Sequence, residues 1–172
     1  MWELKDTTNP CERVILFIKN FQLSSKIELG KIEHWINRNK LDSNVKYLVA
    51  YSVIKATASI EVIFKKMVFE YLAQGVIEDT KKYLSNMIIE SSCNPGPGNI
   101  GRILEQINGQ LKREFDETLK GTQQKGDLTS LVNLRNDFAH GRDVTATINT
   151  VVRYFDSGKW VLTVLDDILN TN

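Results

Sequence analysis

Cysteine, histidine and proline are scarce in this chain of 172 residues, with two Cys, two His and three Pro. The two cysteines, Cys11 and Cys93, lie far apart in sequence, which excludes a disulfide scaffold and leaves a pair of reduced thiols as the expectation. With His34 and His140 as the histidines, soft ligands at close spacing are too few for a structural zinc site, so neither metal nor cofactor is expected. An excess of one charge is missing too. Lys and Arg number 22 against 21 Asp and Glu, a formal net charge of +1. That balance neither demands nor excludes a nucleic-acid partner; a basic groove has to come from local placement, within one chain or across an assembly. Charges interrupt the apolar stretches short of the roughly 20 residues that a membrane span needs. Residues 1–10 hold Glu3, Lys5 and Asp6 and no apolar run, unlike a signal peptide. A cytoplasmic protein without a membrane partner is expected.

What is present is an ordinary globular composition, 42% apolar and 25% charged. A chain this long removes about 70% of its surface from water on folding and needs no covalent staples. Helical periodicity dominates. Residues 12–23 are dense enough in apolar side chains for a buried helix. Ser24 and Ser25, with Glu28 three positions after Ser25, resemble a capping box for a second helix ending near Arg38. The longest element is expected at 45–74, with Tyr47, Tyr51, Ile54, Val62, Phe64 and Met67 among its apolar positions and Gly75 as its stop. The small residues Ala56, Ala58 and Ser59 invite a close helix crossing. A further helix is expected at 76–90. The segment SSCNPGPGN (91–99) is the chain's concentrated punctuation and reads as a loop. Short helices follow around 100–107 and 111–119, then a polar turn over 121–127. Asp127 or Thr129 is expected to cap a helix with the apolar stripe Leu128, Leu131, Leu134 and Phe138, ended by Gly141. The last two helices cover 148–155 and 160–169, separated at Ser157 and Gly158. The fold class is all-α: one helical bundle with a long central member, forming a single domain over 1–172.

One segment stands out. In LVNLRNDFAHG (131–141) the polar groups of Asn133, Arg135, Asn136, Asp137 and His140 crowd onto a helix that also carries an apolar stripe. Asn136 and His140, four apart, share a face, and Asn133 adjoins them. Arg135 and His140, five apart, point about 140° from one another on an ideal helix. Either the helix distorts near Gly141, or two copies of it meet in a homodimer. An imidazole, with an ordinary pKa of about 6.5, moves protons near neutral pH. A guanidinium is a permanent cation whose fork matches phosphate oxygens. Together they suffice to cleave a phosphodiester whose nucleophile is internal, as the 2′-hydroxyl of RNA is. The plain structural alternative stays open on spacing alone: a His next to a helix-terminating Gly is a common dipole contact, and Arg135 and Asp137 suit a solvated surface.

The string LRNDFAHG (134–141) resembles the R-x-x-x-x-H motif of HEPN-domain proteins, α-helical bundles that include many RNA-cleaving toxins and defence nucleases. The polar residue after Arg135, the small residue before His140 and the Gly after it all match. The helix around Ala58–Val62, with Glu61, is similar to the family's acidic core helix. NPGPGNIGRIL (94–104) resembles the Pro-containing loop and short helix of the RiboL-PSP-HEPN subgroup. The resemblance runs from about residue 45 to 169, with the N-terminal helices (11–40) matching less specifically. It implies a metal-independent endoribonuclease acting as a homodimer, a toxin or antiviral effector, with RNA as substrate and an antitoxin or associated regulatory protein as a further partner. In that reading His140 transfers the proton of the 2′-hydroxyl, Arg135 holds the scissile phosphate, and Asn136 orients His140 or touches substrate. Asp137 and Glu61 support the site. Where toxins paired with nucleotidyltransferase antitoxins carry Tyr two residues after the His, this chain has Arg142, which counts against adenylylation-type control.

Alternatives accompany several of these roles. Glu61 either holds Arg135 or His140, or pairs with Lys65 at i,i+4. Asp137 is an exposed charge or a dimer contact as readily as a site residue. Lys55, Lys65, Lys66, Arg102, Lys112 and Arg113 line an RNA path or a solvated face. The competing function is a catalytically inactive HEPN-type module that dimerises and binds RNA or protein; a third is a monomeric helical interaction protein.

Overall fold

In the computed structural model, which describes the backbone of residues 10–171 and side chains from residue 20 onward (Gln22 apart), the first helix runs without a break. Helix α1 spans Pro10–Arg38. The expected start at Ser24 and Ser25 is therefore corrected: Ser25 is 2% exposed and its hydroxyl lies 2.8 Å from that of Ser59. Ser59 gives its proton to the Lys55 carbonyl at 2.7 Å, so Ser25 donates to Ser59. The serines are small and self-satisfying, which lets α1 cross α2 closely without orphaning a buried hydroxyl. The expectations for residues 1–9 and for the thiol of Cys11 fall outside the described residues.

Helix α2 (Val45–Leu72) is the central member, packed against α1, α6 and α7. Gly75, with φ +70°, follows its end as expected. Its buried face is Val49, Val53, Ala56, Ile60, Ile63 and Phe64, whereas Tyr47, Tyr51, Ile54 and Val62 stand on the outer face. The helix is apolar nearly all round, so periodicity alone does not identify its core face. It is also long and apolar enough to cross a membrane, contrary to the sequence expectation; 56% of its apolar window is buried against neighbouring helices, as in the core helix of a bundle.

Helix α3 (Glu78–Leu84) widens into a π-helical turn (Ser85–Ile89), where a single helix was expected. After the loop come α4 (Pro97–Ile107) and α5 (Gly109–Leu119), the latter capped by the Asn108 side chain, which accepts from Gln110 N–H at 2.9 Å. Helix α6 (Gln123–Ala139) begins inside the expected turn: Thr122 is its cap, and Asp127 and Thr129 are interior. Asp127 is instead 7% exposed, accepting from the Ser157 hydroxyl at 2.8 Å, with Arg153 at 3.6 Å. Helix α7 (Ile148–Thr171) passes through Ser157 and Gly158 unbroken. A Cβ at Gly158 would overlap Ile60 and press on Leu128 at 3.4 Å, so this glycine marks the closest approach of α7 to α2 and α6, not an interruption. Phe64, Phe115 and Phe155 fill the centre of one continuous core. Among the described residues there is no strand.

Candidate active site

Helix α6 buries Leu128, Leu131 and Val132 against the core and turns its polar side outward. Its last turn closes as a Schellman motif. Gly141, at φ +78°, donates to the Phe138 carbonyl at 3.0 Å, and Arg142 N–H reaches the Asp137 carbonyl at 2.9 Å. The side chains of the same two residues pair as well, Arg142 to Asp137 at 2.7 Å, where such motifs often place an apolar contact. His140 is the C-cap, exposed at the surface, with its backbone N–H bonded to the Asn136 and Asp137 carbonyls. Asp137 is thus occupied in ending the helix. Phe138, expected in the core stripe, is 41% exposed beside it.

Arg135 is half-buried and donates from Nη1 to Asn136 Oδ1 at 3.3 Å. Among the described residues no carboxylate lies within ion-pair distance of it, and no hydrogen bond joins it to His140. Most other basic residues singled out in the sequence are neutralised by acids: Lys55 by Glu28, Lys65 by Glu61, Lys66 by Glu70 and Lys112 by Asp116. Arg102 and Arg113, like Arg135, rest on amide oxygens, those of Asn99 and Gln110. An amide holds a guanidinium in place without cancelling its charge.

Beside Asn136 opens a groove of about 660 Å³. Its walls are the loop before α4, Arg102 and Ile103 of α4, and Val132, Asn133 and Asn136 of α6. The sequence points to the loop and to the candidate motif but not to their adjacency, which only tertiary packing creates. The loop is fixed by a polar lattice. Glu61 accepts from Lys65 at 2.8 Å and from Cys93 N–H at 3.0 Å, and Lys65 donates to the carbonyls of Ile89 and Ser91. Asn94 Oδ1 accepts from Gly96 N–H at 2.9 Å, and Asn99 donates to the Asn94 carbonyl at 2.7 Å. Glu61 accordingly anchors the groove wall and bonds to neither Arg135 nor His140. Burial, followed by the nearby Glu61 carboxylate, raises the Cys93 thiol above its ordinary pKa, so this free cysteine is a neutral wall residue. Among the described residues no three His, Cys, Asp or Glu side chains gather closely enough to hold a metal ion.

The all-helical architecture is that of a HEPN domain. Over residues 23–171 the chain matches the RiboL-PSP-HEPN family, and it belongs to that family. The match takes in the second half of α1, further toward the N-terminus than the resemblance read from the sequence. No curated protein and no solved structure matches the chain.

Proposed function

We propose that this chain is a metal-independent endoribonuclease of the HEPN type, acting as a homodimer in toxin or antiviral defence. The observation that carries the reading is the state of the two motif side chains. Arg135 keeps an uncancelled charge on an amide support, and one turn along, His140 sits at an exposed helix end. In the proposed reaction an imidazole takes the proton of a ribose 2′-hydroxyl, and that oxygen bonds to the adjacent phosphorus. The bond from phosphorus to the 5′-oxygen breaks, and the leaving oxygen takes up a proton. The products are a 2′,3′-cyclic phosphate and a 5′-hydroxyl. Arg135 stabilises the extra charge on the phosphorane oxygens. Asn136, bonded to Arg135, positions it and faces the strand.

Two copies suit this chemistry better than one. Within one chain no bond brings Arg135 to His140, while the exposed ring of Phe138, two residues from His140, offers an apolar contact for a second motif helix.

The test is incubation of the wild-type chain and a His140→Ala variant with total RNA in EDTA, followed by analysis of product ends. Wild type is expected to yield cyclic-phosphate ends. The variant should lose at least about 100-fold in rate, the usual contribution of a general acid–base, with its melting temperature unchanged. Full cleavage by the variant rejects the assignment. RNA bound by wild type without product favours the inactive module instead.

A further inference from the structure

The groove beside Asn136 is open to solvent yet nearly free of charge. Its lining includes a single charged side chain, Arg102, and no carboxylate. Arg102 is exposed, with Nε and Nη2 donating to Asn99 Oδ1 at 3.2 and 2.7 Å. That grip uses one edge of the fork and leaves Nη1 unengaged among the described residues. The arrangement repeats the one at Arg135, a guanidinium held by a neighbouring amide with no acid within ion-pair distance among the described residues. Asn136 belongs to both places: it lines the groove and accepts the bond from Arg135. The groove lining combines the apolar side chains of Met87, Ile103 and Val132 with the amides of Asn94, Asn99 and Asn133. The volume falls within the roughly 300–1,000 Å³ of small-ligand sites.

Apolar side chains, hydrogen-bonding amides and one cation with no acid within ion-pair distance among the described residues are what a single nucleotide of a flexible strand requires. The base face packs on apolar side chains, its edge meets donors and acceptors, and its phosphate meets the cation. We propose that this groove seats the nucleotide adjoining the scissile phosphate, with Arg102 on the next phosphate along and Asn99 and Asn133 at the base edge. The substrate class is then single-stranded RNA with an unstacked base at that position, since a base held in a helical stack does not enter the groove. This deepens the ribonuclease reading and rests on it for the identity of the strand.

The experiment uses the 172-residue chain with His140→Ala, so that RNA is not consumed, and a fluorescein-labelled single-stranded oligoribonucleotide of mixed sequence. Affinity is followed by anisotropy across a salt series. Adding Arg102→Ala should weaken binding about tenfold and make the log–log salt dependence shallower by about 0.7, one phosphate contact on a single strand. Arg102→Lys should keep the salt dependence. Gly98→Phe adds bulk at the groove lining without a Cβ clash, because a Cβ at Gly98 meets nothing within 4 Å. It should weaken binding several-fold with the salt dependence unchanged. Parental affinity in Gly98→Phe overturns the seating of a base in the groove, and parental affinity in Arg102→Ala overturns the phosphate contact. Either result leaves cleavage by the His140-intact chain as a separate measurement, so the nuclease reading stands or falls on its own. An absence of RNA binding in the parent removes both.

Discussion

The two halves of α6 put polar side chains to opposite use. In the first half Asp127 is buried and engaged by Ser157 and Arg153. In the second half Asn133 is exposed and Arg135 has one long bond to an amide, and His140, the C-cap just beyond, is exposed too. Asp137, also in the second half, is taken up by Arg142. A polar residue in a helix therefore says little by itself. What separates scaffold from site is whether its hydrogen-bonding capacity is already spent within the fold.

The contrast is broken most forcefully at Asp127. Asp127→Ala strips the buried Ser157 hydroxyl and the Arg153 guanidinium of their shared acceptor, at a cost of about 2–3 kcal/mol. For a domain of this size that lowers the melting temperature by about 5–10 °C. Cleavage per folded molecule should be unchanged. Differential scanning calorimetry beside a cleavage assay checks both halves: a stable Asp127→Ala protein, or one that is stable and inactive, would erase the distinction.

Glu61 sharpens it, because it is scaffold that reaches the site. The carboxylate and Lys65 are 18% and 12% exposed at their side chains, and both hold the loop that walls the groove. Glu61→Gln leaves the Lys65 ammonium without its counter-charge but keeps an acceptor for Cys93 N–H. About 1–2 kcal/mol of stability should be lost, with hydrogen exchange at residues 91–96 accelerating more than in α7. RNA affinity should fall with the loop's order while the chemical step, read in single-turnover cleavage at saturating enzyme, holds.

Much of the bundle was legible in the sequence. The bounds of α2 and the ends at Gly75 and Gly141 follow from periodicity and from glycines that adopt positive φ. What escaped was punctuation with a tertiary cause. Ser24 and Ser25 look like a cap, but Ser25 is the hydroxyl that lets α1 meet Ser59. Ser157 and Gly158 look like a break, but they make room for Ile60 and bind Asp127. The polar stretch 121–127 reads as a turn, but from Gln123 on it is already the first turn of α6. The candidate motif residues stand out in the sequence because they are contiguous. The groove does not, because its walls come from separate stretches of the chain, and nothing local in SSCNPGPGN announces that Glu61 will hold it.

The smallest expected effect comes from polar groups that are tied but remain wet. Glu28 of α1 receives the Lys55 ammonium at 2.8 Å and the Tyr51 hydroxyl of α2. The Lys55 bond first, then Tyr51, holds its carboxyl below the ordinary 4.5. A depressed folded-state pKa contributes stability that is present above the unfolded value of 4.5 and is lost as pH falls through the folded value. Asp166 runs the other way. Burial raises it above 3.8, so the folded chain takes up a proton before the unfolded chain does and gains stability as pH falls toward that value. Glu28 is about a third exposed at its side chain, so water screens the pair and its worth stays under about 1 kcal/mol. Glu28→Gln should therefore lower the melting temperature by about 1–3 °C at pH 7 and by progressively less below about pH 4.5. Asp166→Asn should raise it slightly at pH 7, a gain that fades toward about pH 4. A Glu28→Gln deficit that persists undiminished in acid would mean that the side chain's packing, and not its charge, ties α1 to α2.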